Sequence, residues 1–342
     1  MAANYWESTQ RRFWQFSKDE LAEMRGKLEN EESNLIQMFT LPQWRHLNIY
    51  INQQINRLGK RLGSKQQAVA TAQLYIKRFY CKVEIRRTNP YLVIATALYL
   101  ACKMEECPQH IRLVVQEARS LWQGKISHEP TPSKIRSTNG SADHTDLLAL
   151  DVGRLGECEF FLISEMNSHL IVHQPYRTLT SLQSDLFLSQ DEVNIAMSVI
   201  NDHYMTDLPL LYPPHVIALT AILLSLVLRP NSVGGGAAAN MAAATAALAQ
   251  AQARTGTISG STTASGQSTP SGTETKDKQQ EARVGKVQRF AAFLAESNVD
   301  IEAMVDCTQE LISFYECYEQ YNDKMTREQI NRFVKARGLD KP

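Results

Sequence analysis

The sequence predicts an all-α protein built as two tandem helical bundles. Apolar residues recur at helical spacing along nearly the whole chain, and no run of alternating β-branched residues is present. A helix–loop–helix unit also occurs twice at a constant offset. The first expected segment, residues 1–40, is an N-terminal helix with an aromatic stretch: Tyr5, Trp6, Phe13, Trp14 and Phe16. Chain ends are ordinarily polar and frayed, so most of these rings are expected to pack on the protein's own body, and the rest on a partner.

The first bundle is expected over residues 41–172. Its opening helix starts near Pro42, buries Trp44, Leu47, Ile51, Ile55 and Leu58, and ends at Gly59, a residue suited to a left-handed cap. Helices are expected next at Lys65–Cys81 and Pro90–Glu105, and, beyond a polar loop at 124–145, at Asp146–Ser168. The second bundle, 173–325, would hold helices at Gln190–Met205, Pro214–Leu228, Val284–Glu296 and Asp300–Tyr321, with 326–342 as a tail. Between the second and third of these helices, residues 230–281 are rich in Gly, Ala, Ser, Thr and Gln and almost lack large apolar side chains. Such a composition cannot offset its ordering entropy, so a disordered insertion inside the second bundle is expected there.

The repeat carries this division. At an offset of 124 residues, without a gap, "VATAQLYIKRFY" from Val69 lies on "VNIAMSVINDHY" from Val193, and "PYLVIATALYLACK" from Pro90 lies on "PHVIALTAILLSLV" from Pro214. Each copy sets a proline at the first turn, where its missing N–H costs nothing, and follows it with a helix apolar on nearly all faces. That is the pattern of a helix at the centre of a bundle.

Composition narrows the function. The 36 basic residues balance 36 acidic ones, which disfavours DNA binding or membrane-surface binding as the main activity. Cys81, Cys102, Cys107, Cys158, Cys307 and Cys317 contain no C-x-x-C pair, which suggests a reducing compartment and no zinc. The N-terminus lacks the pattern of a signal peptide, and the longest apolar runs fall short of the roughly 20 residues of a membrane span. A soluble intracellular protein is expected. His169 and His173 have no third metal ligand nearby, and "GGG" at Gly234 to Gly236 lacks the lysine of a phosphate loop. No cofactor, no metal and no catalytic constellation are expected.

Two charges stand out on apolar helix faces. Lys103 ends the central helix of the first copy, whereas the repeat register puts Val227 in its place in the second. The fold does not require a lysine there, although a helix-end cation that complements the dipole is the alternative. Leu148, Val152, Leu155, Glu159, Leu162 and Met166 form one helical stripe that Glu159 interrupts. A carboxylate among apolar neighbours needs a cation, and Lys103 is the natural partner, unless both charges face outward toward another protein.

These residues resemble cyclins. The lysine of "ACKMEE" and the glutamate of "ECEFFLISEM" look like the pair that cyclins present to a kinase, "NSHLIVHQPYR" looks like the junction between two cyclin boxes, and the tandem five-helix repeat is similar to the cyclin architecture. "ANYWEST", "IKRFY" and "INDHYMTDLPLLYPPHVIAL" resemble the cyclin C branch, and the polar insertions resemble those of filamentous-fungal members. The resemblance implies two cyclin boxes after an N-terminal helix, and a regulatory subunit without chemistry of its own. It implies a cyclin-dependent serine/threonine kinase as partner, met by Lys103, Glu159 and Glu106, in the Mediator kinase module of RNA polymerase II transcription in the nucleus. It also implies that Trp6, Asn201 and Asp202 meet other subunits of that module. The M-R-A-I-L docking motif of cell-cycle cyclins is missing from the first fifty residues.

A basic cluster between Arg45 and Arg87 includes Arg57, Lys60, Arg61, Lys77 and Arg78, with Glu84 its one acid. A solvated helix face is the plain reading, and a patch for an acidic or phosphorylated partner is the functional one. Two other identities remain open at this point. One is another transcription-type cyclin resembling cyclin H, against which the Trp6 motif speaks. The other is a cyclin-fold general transcription factor that binds DNA, against which the neutral charge and the missing N-terminal zinc ribbon speak.

Overall fold

A computed structural model describes residues 4–123, 151–228 and 274–339, and every regular element among them is helical. The polar loop expected at 124–145, the stripe residue Leu148 and most of the insertion expected at 230–281 lie outside the described residues. The chain forms two compact units. One comprises 1–174 together with 204–211 and 316–342, and the other 175–203 and 212–315.

The first unit opens with a short 3-10 turn, Tyr5–Glu7, then α1 (Thr9–Phe13), α2 (Lys18–Glu31) and α3 (Ser33–Met38) in place of one N-terminal helix. Ser17 separates α1 from α2 because its hydroxyl accepts the Glu20 amide at 3.1 Å while Glu20 accepts the Ser17 amide at 2.7 Å, a reciprocal cap. The expected self-packing of the aromatic stretch is found at several rings: Trp14 is buried and donates to His169 Nδ1 at 3.1 Å, Phe13 stacks on His169, and Tyr5 meets the His173 ring edge-on.

α4 (Trp44–Arg61) buries Leu47, Ile51, Ile55 and Leu58. It runs past Gly59, where an end was expected. The residue in left-handed backbone is Gly63, with φ of +62°, and the Ser64 and Gly63 amides close on the carbonyls of Gly59 and Lys60. Gly59 serves packing instead: a Cβ there would lie 2.7 Å from Val69 Cγ2. α5 (Gln66–Tyr80) and α6 (Pro90–Met104) pack chiefly on one another at the centre of the unit, and both are buried along almost their whole length. α7 (Ile111–Gln123) and α8 (Val152–Glu165) complete the ring around α6.

The second unit contains α9 (Tyr176–Asp185), α10 (Gln190–His203), α12 (Pro214–Val227), α13 (Glu274–Glu296) and most of α14 (Ile301–Gln320). α10 and α12 are its central pair, as α5 and α6 are in the first unit. At all eight repeat identities, from Val69/Val193 to Leu100/Leu224, both copies are buried. α13 begins inside the span expected to lack structure, since "ETKDKQQEARVGKVQRF" is dominated by good helix formers.

Two stretches remote in sequence complete the first unit. α11 (Leu208–Leu211) packs on α5, and just before it Asp207 takes two bonds from the Arg25 guanidinium at 2.8 and 2.9 Å. The expected tail at 326–342 is instead largely helix: α15 (Asp323–Ala336), capped by Asn322, packs on α4 and buries Thr326, Ile330, Phe333 and Val334. Spacings of 4 and 3 carry that apolar stripe, on a helix whose other positions are mostly charged. No helix among the described residues is long and apolar enough to cross a membrane.

Candidate partner-binding site

The most distinctive surface lies where α6 and α8 end the apolar interior of the first unit. Proline at N1 and an Asn89 side-chain cap start α6, and its following residues are apolar enough to be covered on almost every face. Only its last turn surfaces, with Lys103 and Met104 exposed. The Lys103 ammonium sits 4.7 Å from the centre of the Tyr99 ring, one turn back, so the aromatic face supports the charge. In the second unit, the matching Val227 is buried.

The end of α6 is a tight reversal. The Glu106 amide closes on the Lys103 carbonyl at 3.4 Å and the Cys107 amide on the Cys102 carbonyl at 3.0 Å, with Glu106 in left-handed backbone at φ of +53°. This is a Schellman end made without glycine. Glu105 anchors the turn to α5 by accepting from Gln67 Nε2 at 2.6 Å and Thr71 Oγ1 at 2.5 Å. Glu106, next to it, points into solvent.

α8 supplies the opposite charge. Asp151 caps its first turn, and Leu155, Leu162 and Met166 are fully buried along the stripe. Glu159 shares that stripe with its side chain only 12% exposed, and it is ion-paired with Lys103, whose side chain is 39% exposed. Among the described residues, no hydrogen-bond donor other than that ammonium reaches Glu159 Oε1. The two helices therefore bring Lys103 and Glu159 together, as their types and positions predict, and Glu106 lies on the same turn as Lys103. Beside each charge sits an exposed apolar neighbour that sequence reasoning did not single out: Met104 after Lys103, and Phe160, 77% exposed, after Glu159. Their lone signal is adjacency to the two charges.

The expected basic patch is corrected in part. Lys77 and Arg78 are buried, since α5 is covered on all sides. Lys77 donates to Asn48 Oδ1 at 3.3 Å, and Arg78 donates to the His169 carbonyl at 2.7 Å with its guanidinium over the Trp14 ring. Burial holds the Lys77 pKa down at about 8 and that of Arg78 at about 10. Arg57 and Arg61 lie on α4 and meet Asp323 and Glu117 in ion pairs, while Lys60 is exposed. These residues do not form one cationic face.

Trp6 is 55% exposed in the first unit, with the Arg11 guanidinium over its ring. Asn201 and Asp202 belong to the second unit. Asn201 Oδ1 accepts from the Tyr176 hydroxyl at 2.7 Å, and Asp202 accepts from the Tyr315 hydroxyl at 3.1 Å. Burial lifts the Asp202 carboxyl above its usual range, against that hydrogen bond.

Comparison with known proteins agrees with this architecture. Residues 22–129 match the model of the cyclin N-terminal domain. The chain is 61% identical to the RNA polymerase II holoenzyme cyclin-like subunit of Neurospora crassa and 60% identical to that of Gibberella moniliformis, each covered in full by this chain in full. Among solved structures, a chain of the CAK complex from Chaetomium thermophilum bound to ATP-gamma-S shares the fold, with a TM-score of 0.56 at 18% identity over 98% of this chain and 88% of that one.

Proposed function

The chain belongs to the cyclin family, among the RNA polymerase II holoenzyme cyclin-like subunits, and from that premise we propose that it is the non-catalytic regulatory subunit of a cyclin-dependent serine/threonine kinase in the Mediator kinase module. It acts in the nucleus, and its partner phosphorylates the C-terminal repeats of RNA polymerase II and transcription factors.

The observation that carries this reading is the Lys103–Glu159 ion pair, whose lysine is replaced by Val227 at the other repeat and which sits where the apolar interior of the first unit ends. Activation of such a kinase is a shift between two arrangements of its own active site, in which a helix moves inward and completes the phosphoryl-transfer machinery. Moving a two-state equilibrium from 1:99 to 99:1 takes about 5.5 kcal/mol of differential contact. An exposed ion pair contributes about 0–1 kcal/mol. The pair must therefore be desolvated under the kinase, with exposed Met104 and Phe160 adding apolar area, at about 25 cal/mol per Å² buried. Trp6, Asn201 and Asp202 are assigned to other subunits of the module.

Nuclear extract passed over immobilised wild type and over the double variant Lys103→Ala, Glu159→Ala tests this. Wild type is expected to retain a cyclin-dependent kinase, and the variant to lose at least nine-tenths of it while melting normally. Equal retention would defeat the assignment of the pair. A wild type that retains no kinase, yet shifts promoter DNA with steep salt dependence, would defeat the kinase reading itself.

A further inference from the structure

The turn that follows Lys103 carries two cysteines whose placement the partner surface does not explain. In a Schellman end the side chains at the third residue from the helix end and the second beyond it come into contact, ordinarily as an apolar pair. Here those positions are Cys102 and Cys107, and Cys107 packs against the same apolar core that buries Cys102. The 3.0 Å bond from the Cys107 amide to the Cys102 carbonyl limits their Cα separation to no more than about 7 Å, near the upper edge of the range that a disulfide spans. The turn itself thus preorganises a dithiol.

We propose that Cys102 and Cys107 form a reversible disulfide in the folded protein, with a hydroperoxide as oxidant, which makes the turn after Lys103 a thiol modification site. The two sulfurs are not equivalent. Cys102 is fully buried and shares a bond with Ser64 Oγ at 3.5 Å, whereas Cys107 is partly exposed at the surface. Burial pushes the Cys102 thiol up to about 11, which makes it the poorer nucleophile. Cys107 therefore reacts first. Its thiolate attacks the peroxide, an S–O bond forms as the O–O bond breaks, and an alcohol, or water from hydrogen peroxide, leaves. The Cys102 sulfur then attacks that of Cys107, gives up its proton, and forms the S–S bond as hydroxide departs with the proton as water. Two thiols have lost two electrons and the peroxide has gained them. A small thiol reverses the step by exchange.

Any effect on a partner rests on the kinase reading, because the disulfide would hold the segment bearing Lys103 and Glu106 in its present shape. The chemistry can be tested without that partner. Folded full-length protein is treated with hydrogen peroxide, alkylated and digested with trypsin, which cuts between the two cysteines after Lys103. The expected product joins Thr88–Lys103 to Met104–Arg112 at a mass two hydrogens below their sum. It should vanish on reduction and in Cys107→Ser, and persist in Cys158→Ser. Recovery of both peptides alkylated and unlinked, or of Cys107 carried on to sulfinic acid without a link, would overturn the proposal. Retention of the kinase by oxidised protein is measured separately, so the link can form even where the kinase reading fails.

Discussion

Gly59 shows how a single atom decides a packing question. In an exposed helix interior, Gly→Ala gains about 1 kcal/mol from helix propensity. Here the added methyl would press on Val69 Cγ2 at 2.7 Å, and overpacking costs about 1–3 kcal/mol, so Gly59→Ala is expected to destabilise by about 1 kcal/mol. Pairing it with Val69→Ala removes the clash, and a chemical-denaturation double-mutant cycle should give a favourable coupling of similar size; additive effects would show that the contact is not the cause. Lys103 was legible at this scale because the repeat supplies a reference copy in which the lysine is missing, and Glu159 because it breaks an apolar helical stripe. Lys77 and Arg78 were not, since "KRFY" has the composition of a solvated face and only the packing of α5 reveals that both cations are buried. The close approach of Cys102 and Cys107 was equally hidden: it depends on Glu106 taking left-handed backbone, which a glutamate does not announce.

At the scale of elements, α2 is tied to the first unit by charge. Burial works to raise the Asp207 pKa, but bonds from Arg25 and Trp44 and the charges of Lys77 and Arg25 outweigh it and hold the carboxyl below its usual range. The Lys77 pKa falls as well, to about 8, but here burial wins, because it opposes the ammonium charge more strongly than Asp207 supports it. An unfolded lysine titrates near about 10.4. Between about pH 8 and about 10.4 the unfolded chain thus holds a proton that the folded chain has released, so this group makes stability rise with pH, by up to about 1.4 kcal/mol per unit. Lys77→Met should flatten that rise in melting curves taken across the window, and an unchanged slope would mean that Lys77 is solvated. The long, strongly apolar helices α4, α5, α6 and α12 were legible within a few residues. α7, α9 and α15 were missed because each mixes a narrow apolar stripe with many charged or polar residues, and short stripes resemble loops until a neighbour covers them.

At the scale of the whole molecule, the tandem repeat made the two-unit architecture legible, yet the borders of the units do not follow the chain. The first unit needs 204–211 and 316–342 as well as 1–174. α15 covers its core with Ile330 and Phe333, both nearly inaccessible. Ending the chain after Tyr321 uncovers those contacts, and removing two large buried side chains costs about 3–5 kcal/mol each at the upper end. That truncation is expected to lower the melting temperature by at least 10 °C or to leave the chain insoluble. A change of under 2 °C would mean that α15 adds nothing to the core.

The same discontinuity has a consequence for biosynthesis. A ribosome adds about 5–20 residues per second, so the stretch that closes the first unit emerges roughly seven to thirty seconds after residue 174. Throughout that interval the face of α4 destined for α15 has no cover, and the nascent chain is obliged to wait, half-built and apolar, for a helix still inside the ribosome.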